Sequence, residues 1–273
     1  MAGSFYPSNR SELSVTLRKC YSDSLGPGCA PPAPPRVGRI VAVVSPHAGY
    51  EYSGPVAAHS YLHVSSLRGP DLIVIVAPNH YGIGSGVATF ENGEWETPLG
   101  RMRIDEKAAS KLVQQSEIIM FDPEAHALEH SLEVQLPFLQ QIYGDSVPIL
   151  PISLLYQDIE TAKAVASSLV EVVRDKAVVL VASSDLTHYE PVSVAKEKDS
   201  ALIEEILRMD LDSFYSTLER RKVTACGFGA IATVIEVSRA LGLRKGELLK
   251  YATSGDTTGD NSQVVGYAAL RFV

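Results

Sequence analysis

Two short apolar runs dominate the hydrophobic pattern, Ile40-Val41-Ala42-Val43-Val44 and Leu72-Ile73-Val74-Ile75-Val76. Neither alternates with polar positions. Each therefore predicts a strand buried on both faces, as in a parallel sheet covered by helices. Further runs at 147–152 and 177–181 predict two more strands, and 247–253 and 264–273 predict a final pair around a loop at 254–260. Helical spacing of apolar positions appears at 11–21, 105–115, 159–173, 196–209 and 211–220, and in a segment that opens near Thr224 and runs to Leu241. Gly54-Pro55 fits a helix start, because proline suits a first turn. Residues 130–143 predict a helix bent at Pro137, and Asn92-Gly93 predicts the turn of a hairpin within 86–96. Residues 26–35 form a Pro/Gly-rich spacer. The alternation of strands and helices predicts one three-layer α/β/α domain over residues 1–273, with a central, largely parallel (mixed) sheet.

In sheets of this kind ligands sit just beyond the carboxyl ends of the strands. Ser45-Pro46-His47-Ala48-Gly49-Tyr50 follows the first run, Ala77-Pro78-Asn79-His80 the second, and Ser183-Ser184-Asp185-Leu186-Thr187-His188 the strand at 177–181. Cys226 stands at a helix entry, where the helix N-terminus favours a thiolate. His126 and His130 lie four apart, a spacing that shares one face wherever the backbone is helical. Five of the seven histidines thus fall in segments that this topology gathers at one rim. Imidazole, carboxylate and thiolate are the ligand types of zinc, iron and copper, and two histidines plus an anion leave positions open on the ion. His59 and His63 read as structural, Cys20 as a packed thiol and Cys29 as a loop thiol.

Composition narrows the function classes. A net charge of −8 argues against a nucleic-acid partner, which needs basic surface. No apolar run is long enough to span a bilayer, and the first residues lack the pattern of a signal peptide, so a cytoplasmic protein without a membrane partner is expected. Three cysteines do not make a disulfide framework. There is no Gly-x-Ser-x-Gly elbow, no P-loop and no dinucleotide fingerprint.

The motifs Ala2-Gly3-Ser4-Phe5-Tyr6-Pro7, Pro46-His47-Ala48-Gly49-Tyr50, Pro78-Asn79-His80, Glu129-His130-Ser131-Leu132-Glu133, Ser183-Ser184-Asp185-Leu186-Thr187-His188 and Cys226-Gly227 occur in one order from end to end. In them the sequence resembles the Memo-like family, called AmmeMemoRadiSam system protein B in archaea and bacteria. The resemblance implies a fold similar to class III extradiol dioxygenases, with His47, His80 and Cys226 as metal ligands and Asp185 and His188 beside them. Those dioxygenases use a carboxylate where Cys226 stands here, so ring cleavage is not implied. A thiolate shifts preference towards copper, zinc or redox-active iron.

The reading that follows is a redox enzyme using iron or copper on a small-molecule or peptide substrate. His188 would be its acid/base, Asp185 would orient His188 or bind substrate, and Tyr50 and His130 would contact substrate. A zinc hydrolase on the same ligands is one alternative, and a non-catalytic peptide- or anion-binding adaptor is another. The family name also suggests a radical SAM enzyme and an AMMECR-type protein as partners.

Overall fold

The structure is a computed structural model that describes residues 1–35 and 38–273. Numbered in chain order, its strands are β1 Ile40–Ser45, β2 Leu72–Pro78, β3 Val87–Thr89, β4 Glu94–Thr97, β5 Gly100–Arg103, β6 Ile119–Phe121, β7 Ile149–Leu154, β8 Val178–Ser183, β9 His188–Glu190, β10 Gly246–Thr253 and β11 Val264–Phe272. The main sheet has the order β10-β11-β1-β8-β2-β7-β3-β6, with β9 paired to β11. Its centre, β1-β8-β2-β7, is parallel, and these strands are buried almost throughout, as their unbroken apolar runs require. The pairs β1–β11, β10–β11 and β3–β7 are antiparallel, so the sheet is mixed.

Connections place the layers. From β1 the chain crosses β8 to reach β2, and from β7 it crosses β2 in the opposite direction to reach β8. Right-handed crossovers running in opposite directions put their helices, Tyr50–Val64 and Ile159–Val173, on opposite faces. The helix Arg10–Ser22 packs beside the first and the helix Phe228–Ala240 beside the second. Cys20 is buried and Cys29 exposed, as expected of a packed and a loop thiol. Among the described residues no helix is long and apolar enough to cross a membrane.

Four local expectations are corrected. The helix after β1 starts at Tyr50, not at Gly54-Pro55, and carries Pro55 inside it. The missing proline N–H deprives only the carbonyl four residues back, on exposed Glu51, where water can serve it. Pro137 opens the helix Leu136–Tyr143 instead of bending a longer one, so residues 127–132 are left non-helical. Asn92-Gly93 does reverse the chain, with Gly93 at φ +108°, but β3 before it joins the main sheet and β4 after it pairs with β5. The loop expected at 254–260 contains the short helix Ser254–Thr258, started by a reciprocal Thr253/Asp256 cap.

Candidate metal centre

β1, β8 and β2 are neighbours, and Ser45 lies level with Ser183 and Val76 with Ala182. Their carboxyl ends therefore deliver His47, Asp185 and His80 to one rim. The His47 and His80 rings meet edge to face at 5.2 Å between centroids. His130 completes the cluster, stacked on His80 at 4.8 Å and edge-on to His47 at 5.4 Å. One nitrogen from each of these three rings lies within 4.8 Å of the others. On its far side His130 stacks on Phe5 at 4.3 Å.

The partners of each ring fix where its proton sits. Ser183 Oγ donates to the Ser131 carbonyl (2.6 Å) and accepts from Gln135 Nε2 (2.8 Å). Having no second hydrogen, it must accept from His47 Nδ1–H at 2.8 Å, which leaves Nε2 of His47 unprotonated. Gln135 is itself fully held, its Oε1 accepting from Tyr61 and its Nε2 also donating to the Pro46 carbonyl. Glu129, 2% exposed, accepts from the His80 N–H (2.6 Å), His80 Nδ1 (2.9 Å) and the Ser131 N–H (2.9 Å). Burial alone would raise its carboxyl, but those donors override burial and hold it down to about 2. A carboxylate on Nδ1 turns Nε2 of His80 outward, the arrangement seen behind metal-ligating histidines. His130 Nδ1 is 3.3 Å from Glu129 Oε1 but forms no hydrogen bond. Burial, then the neighbouring imidazoles, hold His47 well below its usual range, and burial brings His130 down to about 4. Both rings are therefore neutral near pH 7, the state that offers a lone pair to a cation.

Cys226 Sγ lies 3.0 Å from His47 Nε2. It precedes the helix Phe228–Ala240, pinned where Gly227 N–H donates to Ser184 Oγ and Gln157 bridges the Cys226 carbonyl and the Gly229 N–H. Cys226 Sγ is not within the 4.8 Å mutual spacing of the three imidazoles and reaches the cluster through His47. The expected thiolate preference is reversed: burial, reinforced by the Asp185 carboxylate, pushes the thiol up. A cation at the cluster would pull the other way.

Asp185 Oδ1 accepts the His47 backbone N–H at 2.8 Å, so this carboxylate orients the His47 segment, and no hydrogen bond links it to the His188 ring. Burial raises it to about 6 despite that donor. His188, half-buried, donates Nδ1–H to the Thr224 carbonyl at 2.9 Å, which leaves its Nε2 free. Tyr50 is turned away from the cluster. It is 4% exposed, its hydroxyl donates to the Val134 carbonyl, and its ring packs on Tyr6 and Phe138. His126 does not share a face with His130, because a 3₁₀ turn, Pro123–His126, points it at Phe90 and Trp95. His59 bonds the Leu25 carbonyl and His63 approaches Arg271, both away from the rim.

The sequence reading did not single out Glu129, Ser183 or Gln135 as parts of the site. Gln135 had a signal, a lone amide inside the apolar run 134–139. The other two lay inside motifs already noted.

A family model described as "Memo-like protein" matches residues 1–271. A MEMO1 family protein of Nitrosopumilus maritimus is 47% identical over 273 residues, covering 100% of this chain and 98% of the relative. A MEMO1 family protein of Methanopyrus kandleri is 46% identical, with 100% and 97% covered. Among solved structures, an uncharacterized protein of Escherichia coli K12 superposes with a TM-score of 0.53 at 14% identity, covering 85% of this chain and 99% of that one, which supports the shared fold. With its whole length matched at this identity, the chain belongs to the Memo-like family.

Proposed function

We propose that this protein holds one transition-metal ion on His47, His80 and Cys226, with His130 alongside, and works as an iron- or copper-dependent oxidoreductase. The observation that carries the reading is the convergence of three imidazoles, two of which have their protonated nitrogens fixed by Ser183 and Glu129. Nitrogen and sulfur donors suit copper, zinc or redox-active iron better than hard-ligand cations. The ion would supply redox or Lewis-acid chemistry when bound. The chain supplies the rest. His188 presents its Nε2 for proton transfer, its ring fixed by Thr224. Asp185 holds the His47 backbone in place. A zinc hydrolase on the same residues is the second reading, favoured by neutral imidazoles of the kind that bind catalytic zinc.

The deciding experiment is anaerobic purification with metal analysis and electron paramagnetic resonance, on wild type and on His47→Ala, His80→Ala, Cys226→Ser and His188→Ala. Near-stoichiometric iron or copper in wild type is expected, with loss in the first two variants and weakening in the third. His188→Ala keeps the metal and loses turnover. Zinc alone would favour the hydrolase. Full metal retention in both histidine variants would end the metal-centre reading. Saturable peptide or anion binding without turnover in the loaded protein would make it an adaptor.

A further inference from the structure

His188 is held from behind by a helix that takes no part in the cluster. β9, which carries it, is three residues long and pairs irregularly with β11. It runs through exposed Tyr189 at φ +57°, a left-handed conformation that a tyrosine keeps only where its surroundings impose it. Local preference therefore does not fix the ring. Two consecutive side chains of the helix Val192–Arg208 do. Asp199, 0% exposed, accepts the Thr187 N–H on Oδ1 at 2.9 Å, and its Oδ2 accepts the Tyr251 hydroxyl at 2.7 Å. Lys198 pairs with Glu190, two residues after His188, and donates to the Lys222 carbonyl at 3.2 Å, two residues before Thr224. Thr224 in turn receives the His188 backbone N–H on its hydroxyl and the ring Nδ1–H on its carbonyl. The two prongs thus set the strand that carries the ring against the loop that receives it.

Packing alone does not call for this arrangement. A buried carboxylate is costly, and among the described residues neither lysine nor arginine pairs with Asp199. Burial pushes its carboxyl up, and the donors on Thr187 and Tyr251, with a charged His188, pull it back. β11 makes room for it. A Cβ on Gly266 would stand 1.9 Å from Asp199 Oδ2, so a side chain there would take the carboxylate's seat. The same Gly266 donates its N–H to the Thr187 carbonyl and accepts the Leu186 N–H, each at 2.8 Å. The N–H groups of Leu186, Thr187 and His188 are thereby all held.

We propose that Asp199 and Lys198 are positioning residues for His188, which hold its ring on Thr224 so that Nε2 keeps a single direction. This rests on the acid/base part proposed for His188 and not on the metal ligands.

The test reads the His188 ring by nitrogen-15 NMR on the full chain, at about pH 8.5 and with a chelator present. Its signals are assigned by their loss in His188→Gln. Wild type should show the Nδ1–H tautomer that the Thr224 carbonyl requires. In Asp199→Ala and in Lys198→Met the Nε2–H form should gain by roughly threefold to tenfold, the worth of one hydrogen bond. Asp199→Asn, whose amide can accept from Thr187 and donate to Tyr251, should gain less than about twofold. Leu202→Ala, a cavity in the core face of the same helix, should lower the melting temperature yet leave the ring signals in place. An unchanged tautomer ratio in Asp199→Ala, or in Lys198→Met should Asp199→Ala not fold, would overturn the proposal. So would an Asn variant as disordered as the Ala one, or an equal shift in Leu202→Ala. The metal-centre reading stands or falls separately, on metal content in the histidine and cysteine variants.

Discussion

A serine hydroxyl has one hydrogen to give, and Ser183 gives its own to the Ser131 carbonyl. The state of His47 follows from that, and so does a prediction. Ser183→Ala leaves His47 Nδ1 without its acceptor and frees the ring to turn, so metal affinity should fall by roughly 10–100-fold with the fold intact. Gln135→Leu, which removes the amide holding Ser183, should fall in the same range. The double variant should cost little more than the worse single one, because the two act through one network. Isothermal titration of the demetallated proteins checks all three, and unchanged affinity in Ser183→Ala would show that the serine merely fills space. His126 gives a second residue-scale test, in pH. Burial brings its ring to about 4 from an ordinary 6.5, so the unfolded chain takes the proton more readily than the folded one. Its contribution to stability is complete above pH 6.5 and is lost as the pH falls towards 4, by at most about 3 kcal/mol. Asp122 and Glu129 oppose that loss, since their charges favour the protonated ring. Urea unfolding at pH 7 and pH 4.5 should show a smaller acid loss in His126→Leu than in wild type. An equal loss would mean that other groups set the slope.

At the scale of elements, the approach of the helix Phe228–Ala240 to β8 depends on Gly227. A Cβ there would stand 2.1 Å from the Ser183 carbonyl oxygen and 2.8 Å from the Ser184 Cβ. Gly227→Ala must push the helix start off the strand, at about 1–3 kcal/mol, and carry Cys226 away from His47. A melting temperature lower by several degrees, together with weaker metal binding, is expected, and a variant unchanged in both would show that the helix can shift freely. The same contacts mark what a reader of the sequence could find. Strands β1, β2 and β8 were legible because burial on both faces demands unbroken apolar runs, and His47, His80 and His188 were legible because they stand just past those runs. His130 was credited with a lesser part than its position gives it, since the four-residue spacing from His126 matters only on a helix and Pro137 starts the helix after both. The Asn92-Gly93 turn was legible and its partner strands were not, because pairing is settled by where the main sheet leaves room for β3. Tyr50 shares its motif with His47, yet the helix that begins at Tyr50 turns it into the core.

For the molecule as a whole, the cluster is a product of long-range closure. The His47 ring is tied to Ser183 across 136 residues and to Cys226 across 179, and His80 to Glu129 across 49. Contacts of such separation form late, after the loops between them have been closed. A refolding chain should therefore complete its sheet before it captures metal, and stopped-flow experiments with and without a chelator should share their early phases. On the ribosome the same geometry acts as a timer. A nascent chain that has reached β2 displays His47 and His80 without the β8 strand that belongs between them, and without the thiol of Cys226. Such a chain has no formed pocket with which to scavenge a stray cation. In the proposed centre, topology would hold off loading with the wrong ion during synthesis, because the site is complete only once Cys226 has been made and docked on His47.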